Sequence, residues 1–146
     1  CIRIIFLIFY LLTMSCNGET TMKSLNLDIQ EAFEHYENNN LVVIDVRTKK
    51  EWIETGIIPK SILVNMHSDN YEENRNFIKE IDNILRVNKE NNIVFICASG
   101  ARSEIVVNYF SEKGYNNISH IPQGIVGKEN DGWLYLGYPL KALEMD

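Results

Sequence analysis

Leu41-Val-Val-Ile-Asp-Val46 constrains this chain more than any other stretch. The run is apolar and mostly β-branched, with no alternation of polar and apolar positions, so a strand here has both faces covered. A second run, Ile93-Val-Phe-Ile96, has the same character. Two such strands call for a parallel sheet with helices on both faces, and 146 residues give room for one domain of that kind. Asp45 is the exception inside the first run. A carboxylate near the end of a buried strand needs a partner, and Arg47, two residues further along, is the candidate.

The rest of the chain alternates in step with these strands. Met22 to Leu25 is expected as a short edge strand. A helix capped by Asn26 or Asp28 follows, with Ile29, Ala32, Phe33 and Tyr36 as its apolar stripe. Thr48-x-x-Glu51 has the spacing of a capping box and opens a short helix, Lys49 to Glu54, that closes at Gly56. Ile62 to Met66 is expected as a strand, and Tyr71 to Val87 as a long helix with Phe77, Ile78, Ile81 and Ile84 or Leu85 facing inward. The last helix runs from Ala101 or Arg102 to Lys113, with Ile105, Val106, Tyr109 and Phe110 able to share a face, and Ile118 to Ile121 is the last strand. The expected order is β-α-β-α-β-α-β-α-β, an α/β fold with a five-stranded, mostly parallel sheet flanked by helices on both faces. Sites in such sheets form beyond the carboxyl ends of the strands.

Cys97 lies at such an end, where Ile93 to Ile96 gives way through Ala98-Ser-Gly-Ala-Arg102 to a helix. Backbone N–H groups at a helix N-terminus lack intrahelical partners and favour an anion in front of them. A thiolate is such an anion. Gly100 relieves the turn, so several N–H groups can point inward as a nest, and Arg102 adds a fixed positive charge beside the loop. A structural cysteine needs neither the Gly nor the Arg. The four residues between Cys97 and Arg102 leave little room for a tetrahedral phosphate and better suit the extra sulfur of a persulfide.

Twenty acidic residues against fourteen basic ones, a net charge of −6, argue against nucleic acid as a partner. Residues 1 to 14 carry one charge, Arg3, around an apolar core from Ile4 to Leu12, which suits the hydrophobic part of a signal peptide. Leu11-Leu-Thr-Met-Ser-Cys16 resembles the lipobox of a bacterial lipoprotein, in which the cysteine is lipidated, although Thr13 and Met14 depart from the usual residues. Residues 1–16 are therefore expected to be a signal peptide, 17–21 a polar linker and 22–146 the folded domain. The protein is expected to be exported, either periplasmic or attached to a membrane through lipid on Cys16, and to be a monomer. Cys1 and Cys16 fall in the leader, which leaves Cys97 without a disulfide partner and without metal-ligand spacing. His35, His67 and His120 are scattered and read as surface or turn residues, and Trp52, Tyr71 and Trp133 as core aromatics able to line a pocket mouth.

The Cys-Ala-Ser-Gly-Ala-Arg-Ser loop resembles that of a single-domain rhodanese, a sulfurtransferase, when taken with Val43-Ile-Asp-Val-Arg47, Glu51, Gly56-Ile-Ile-Pro59 and Gly124-Ile-Val. The resemblance runs from about Met22 to Pro139. It implies that Cys97 is the nucleophile that takes a sulfane sulfur from a small anionic donor, such as thiosulfate or another persulfide. A thiol or cyanide then removes it. It further implies that Ala98, Ser99, Gly100, Ala101 and Arg102 bind the transferred sulfur and its donor, with Asp45 and Arg47 as supports, and that no metal or organic cofactor takes part. Three positions depart from the family's pattern. Ile57 stands where a His is common, Lys128 falls near a common Trp whose space Trp133 is expected to fill, and Ala98 stands where many thiosulfate-using members carry Arg. The related phosphatases and arsenate reductases have one more residue between Cys and Arg, and a non-catalytic rhodanese-like module, binding a partner or sensing redox state, is the remaining alternative.

Overall fold

The computed structural model describes residues 25–144. The expected signal peptide, Cys16, the linker and residues 22–24 of the expected first strand lie outside the described residues. Four strands, β1 (Val42–Asp45), β2 (Ile62–Leu63), β3 (Ile93–Ile96) and β4 (Ile118–His120), form one sheet in the order β2-β1-β3-β4. Every pairing is parallel, with Val43 opposite Val94 and Asp45 opposite Ile96 at the centre. Among the described residues four helices join and flank them: α1 (Ile29–Glu37), α2 (Lys49–Thr55), α3 (Phe77–Val87) and α4 (Ala101–Glu112).

The unbroken apolar runs have the two covered faces they call for. Ile44, Val46, Ile93, Phe95 and Cys97 pack on one side with Ile81 and Leu85 of α3 and Val106, Val107 and Phe110 of α4. Val43, Val94 and Ile96 pack on the other with Ile29 and Ala32 of α1, Ile58, Ile125 and Trp133. Trp133 is fully buried, crossed at right angles by Phe33 and Tyr36, and its indole N–H donates to Pro139 O at 3.0 Å. It is the core aromatic the sequence suggests. β1 and β3 are neighbours, but the chain leaves β1 for β2 on one side and β3 for β4 on the other, so their carboxyl ends form the switch point of the sheet.

Among the described residues the sheet has four strands instead of the five expected. The segment before α1 adds only a single bridge at the outer edge of β4: Leu27 N–H donates to His120 O, and His120 N–H to Leu25 O. β2 is also shorter than expected, although Val64 and Met66 N–H still reach Asp45 O and Val46 O.

Two helical expectations are corrected. α3 starts at Phe77, not Tyr71, because short polar side chains take up the backbone donors before it: Ser68 Oγ accepts from Asn70 and Glu72 N–H, and Asn74 Oδ1 from Asn76 N–H. Tyr71 there adopts a φ of +62°, and the inward stripe is Phe77, Ile81 and Leu85 with Ile78 outside. In α4 the buried positions are Ser103, Val106, Val107 and Phe110, while Ile105 and Tyr109 face out. Ser103 is turned inward by its bonds to the cysteine loop, and that sets the phase of the helix.

Candidate active site

Cys97 follows β3 directly, with only 1 % of its surface exposed. Two backbone N–H groups point at its sulfur, that of Gly100 at 3.2 Å and that of Ser103 at 3.4 Å, and the thiol donates to Ser103 Oγ at 3.4 Å. This is the anion-receptive geometry expected of a loop running into a helix N-terminus. Gly100 caps α4 with a φ of +92°, and a Cβ on it would lie 2.2 Å from Pro122 O. Only glycine fits there.

The loop's carbonyls are held from behind by the segment after β4. Ile125 N–H donates to Cys97 O, and Val126 and Gly127 N–H both donate to Ala98 O. Gly124 lets that segment come close, since a Cβ on it would lie 2.6 Å from the Ala98 carbonyl. With the carbonyls turned back, the N–H groups of Gly100 and Ser103 turn toward the sulfur. The Gly124-Ile-Val stretch is thus part of the site although it contributes no side-chain chemistry.

Arg102 is turned to a carboxylate. Its guanidinium grips Glu51 with two bonds, Nη1 to Oε2 at 2.8 Å and Nη2 to Oε1 at 2.6 Å. Glu51 also closes the capping box of α2, its Oε2 accepting from Thr48 N–H at 2.8 Å. Burial pushes the Glu51 carboxyl up, but the bonds from Arg102 and Thr48 and the Arg102 charge outweigh it and hold it at about 2. Glu51 in turn raises Arg102 above the usual guanidinium range. The stability this carboxylate contributes is complete above its ordinary value of 4.5 and is lost as pH falls toward about 2. Glu51→Gln is therefore expected to unfold at lower urea than wild type near neutral pH, and the gap is expected to close across that acid window. Urea midpoints followed by circular dichroism check this, and a gap that does not change with pH would refute it.

Asp45 and Arg47 are both fully buried and meet as the sequence suggests. Arg47 Nε and Nη2 bond the Asp45 carboxylate at 2.8 to 3.1 Å, while Nη2 and Nη1 also reach Gly56 O at 2.8 Å and Thr55 Oγ1 at 2.6 Å. The end of β1 is thereby fastened to the end of α2. Ala98 and Ser99 are half-buried and Ala101 is exposed. A cleft of about 450 Å³ opens beside Arg102 and Glu51, lined also by Thr48, His67, Asp69 and Tyr71. Tyr71 is 84 % exposed, so it belongs to this mouth and not to the core, whereas Trp52 is buried.

His120 was not expected in the interior. It is buried at the end of β4, with Nδ1 3.0 Å from Ser103 Oγ and Nε2 3.0 Å from Asn26 Oδ1. Burial lowers its pKa below the ordinary imidazole value, against an opposing pull from Glu104. The signal that could have found it is the one that singles out Asp45, a polar residue inside a short apolar strand. Among the described residues no group of three His, Cys, Asp or Glu is placed to hold a metal ion.

The family model for the rhodanese-like domain matches residues 28–130, from the cap of α1 past the segment that backs the cysteine loop. The chain belongs to the rhodanese-like family. Uncharacterized protein RP600 of Rickettsia prowazekii is 34% identical to it over 105 residues, which cover 66% of this chain and 79% of that protein. The tRNA uridine(34) hydroxylase of Prochlorococcus marinus (strain MIT 9215) is 33% identical over 90 residues, covering 61% of this rhodanese-like chain but only 28% of the hydroxylase. Among solved structures, a rhodanese-related protein from Thermoplasma volcanium superposes with a TM-score of 0.59 at 25% identity, over 82% of this chain and all of that one. The rhodanese-like α/β fold expected from the sequence is the fold of this chain.

Proposed function

We propose that this rhodanese-like domain is a sulfurtransferase that carries a sulfane sulfur as a persulfide on Cys97. The observation that carries the reading is the cysteine sulfur at the mouth of α4, accepting N–H bonds from Gly100 and Ser103. Donors in that arrangement stabilise a thiolate, and they equally stabilise the terminal anionic sulfur of a persulfide. With thiosulfate, the Cys97 thiolate attacks the outer sulfur, an S–S bond to Sγ forms, and sulfite leaves with the electrons of the bond that breaks. Cyanide or a thiolate then attacks the bound sulfur and takes it away, and the Cys97 thiolate is restored.

Arg102 bears on the choice of donor. Its charge is matched by Glu51, and Ala98 adds none, so the loop offers a dianion little net attraction. A singly charged persulfide suits it better than thiosulfate. The hydroxylase relatives suggest tRNA as another class of partner, but they share less than a third of their length with this chain, whose net charge is −6. A small sulfur donor and a small thiophilic acceptor are the partners we propose.

Mass spectrometry of the protein after exposure to thiosulfate, and separately to a glutathione persulfide, tests the reading. A gain of one sulfur on the peptide that holds Cys97, lost on adding cyanide with release of thiocyanate, is the expected result. No gain with either donor would favour a non-catalytic module, and release of phosphate from a phosphate ester without thiocyanate formation would favour a phosphatase.

A further inference from the structure

Behind the cysteine, the buried Ser103 and His120 lead from the centre of the sheet to Asn26, exposed at its edge. The Cys97 thiol donates to Ser103 Oγ at 3.4 Å, Ser103 Oγ lies 3.0 Å from His120 Nδ1, and His120 Nε2 lies 3.0 Å from Asn26 Oδ1. An amide oxygen can only accept, so in the neutral ring Nε2 carries the hydrogen and donates it to Asn26. Nδ1 is then left with a lone pair facing the Ser103 hydroxyl. Ser103 has one hydrogen to give and two acceptors in reach, His120 Nδ1 and Gly100 O at 3.1 Å. When it gives that hydrogen to His120, every donor in the chain points the same way, away from the sulfur.

We propose that His120 acts through Ser103 as the proton acceptor for the Cys97 thiol, a positioning residue that charges the nucleophile without touching the substrate. The proposal deepens the sulfur-transfer reading and rests on it for its purpose. The S–H bond breaks as its hydrogen passes to Ser103 Oγ, and the Ser103 O–H bond breaks as its hydrogen passes to His120 Nδ1. Serine is restored, the sulfur is a thiolate and the ring an imidazolium. The new Ser103 O–H now points at the sulfur, which then accepts from Ser103 O–H, Ser103 N–H and Gly100 N–H. The imidazolium donates to Ser103 Oγ on one side and Asn26 Oδ1 on the other. No group is oxidised or reduced.

The charges around the pair fit this exchange. Burial leaves the His120 ring neutral before transfer but weakens it as a base, and Glu104 of α4 works against that by drawing it toward the charged form. Beyond the Ser103 hydroxyl stands the Cys97 sulfur, and the neutral Asn26 meets the ring from the segment before α1. Arg102 of α4, paired with Glu51 of α2, lies within the fields of Cys97 and Asp45. A buried imidazolium and a buried thiolate one hydroxyl apart then offset each other's charge.

The test is the rate at which iodoacetamide alkylates Cys97 in the full chain as a function of pH, followed by the mass of the peptide that carries it. His120→Gln and Ser103→Ala are each expected to slow alkylation at pH 7 about tenfold and to move its rise to higher pH. The double variant is expected to lose no more than either alone, as befits residues acting as one unit. Profiles that coincide with wild type in folded variants would overturn the relay. Should either variant fail to fold, NMR titration of the His120 ring in wild type and in Cys97→Ser decides. A midpoint that moves when the thiol is removed supports the relay, and an identical curve overturns it. Alkylation needs no sulfur donor, so the two readings fail separately. A dependence on His120 without any persulfide would leave the relay and remove sulfur transfer, and a persulfide with unchanged profiles would do the reverse.

Discussion

Cys97→Ser is expected to lower sulfur transfer by at least about a thousandfold while the domain stays folded. The two halves of this expectation rest on different properties of the same atom. Transfer needs a group that is anionic near neutral pH and forms a stable bond to sulfur, and a serine hydroxyl at this position is neither. Folding needs only an acceptor for the loop. A hydroxyl oxygen there still faces Gly100 N–H, and the Ser103 Oγ bond to Gly100 O does not involve the sulfur. The loop is also held from behind through Cys97 O and Ala98 O, which the substitution leaves in place. Thiocyanate formed from a persulfide donor and cyanide, measured beside the thermal midpoint, checks both halves. Transfer within tenfold of wild type would mean that another group holds the sulfur.

The sheet was legible in the sequence because burial on both faces leaves a mark that one residue type after another repeats. Val43, Ile44, Val94 and Phe95 all have to be apolar whichever way they point. Asp45 and Arg47 were legible for the converse reason, since a charge in such a run has to be matched nearby. The same reasoning applied to Ile118-Ser-His-Ile121 leads to His120 in the interior, and its three-residue strand made the signal shorter, not weaker. The facing of α4 was lost because apolar periodicity cannot register a serine as an inward residue, and Ser103 is inward only through its bonds to the cysteine loop. The pairing of Glu51 with Arg102 was out of reach for a different reason. Both residues have sufficient local roles, one in a capping box and one in a loop, and nothing along 51 residues of chain signals that the two ends meet. The start of α3 turned on Ser68 and Asn74, whose side chains compete for backbone donors in a way that apolar spacing does not record.

Arg47→Met is expected to cost about 3 to 5 kcal/mol of stability, the range found when one partner of a buried ion pair is removed and the other is left behind. Asp45 would keep the bond from the backbone N–H of residue 47 but lose every side-chain donor to its carboxylate. Gly56 O and Thr55 Oγ1 would also lose a donor in the interior. Methionine fills a similar volume, so the loss reports the stranded charge more than a cavity. Replacing both members, Asp45→Leu with Arg47→Met, removes the stranded carboxylate and is expected to recover part of the loss; urea denaturation of the three proteins measures it. Equal midpoints for the single variant and wild type would show that the pair is not what holds these elements. The effect is also expected to reach the sulfur. Arg47 fastens the end of β1 to the carboxyl end of α2, and the other end of that helix carries Glu51, which fixes Arg102 beside Cys97. Loosening α2 at one end frees the loop cation at the other, so Arg47→Met is expected to slow sulfur transfer even at temperatures where it remains folded.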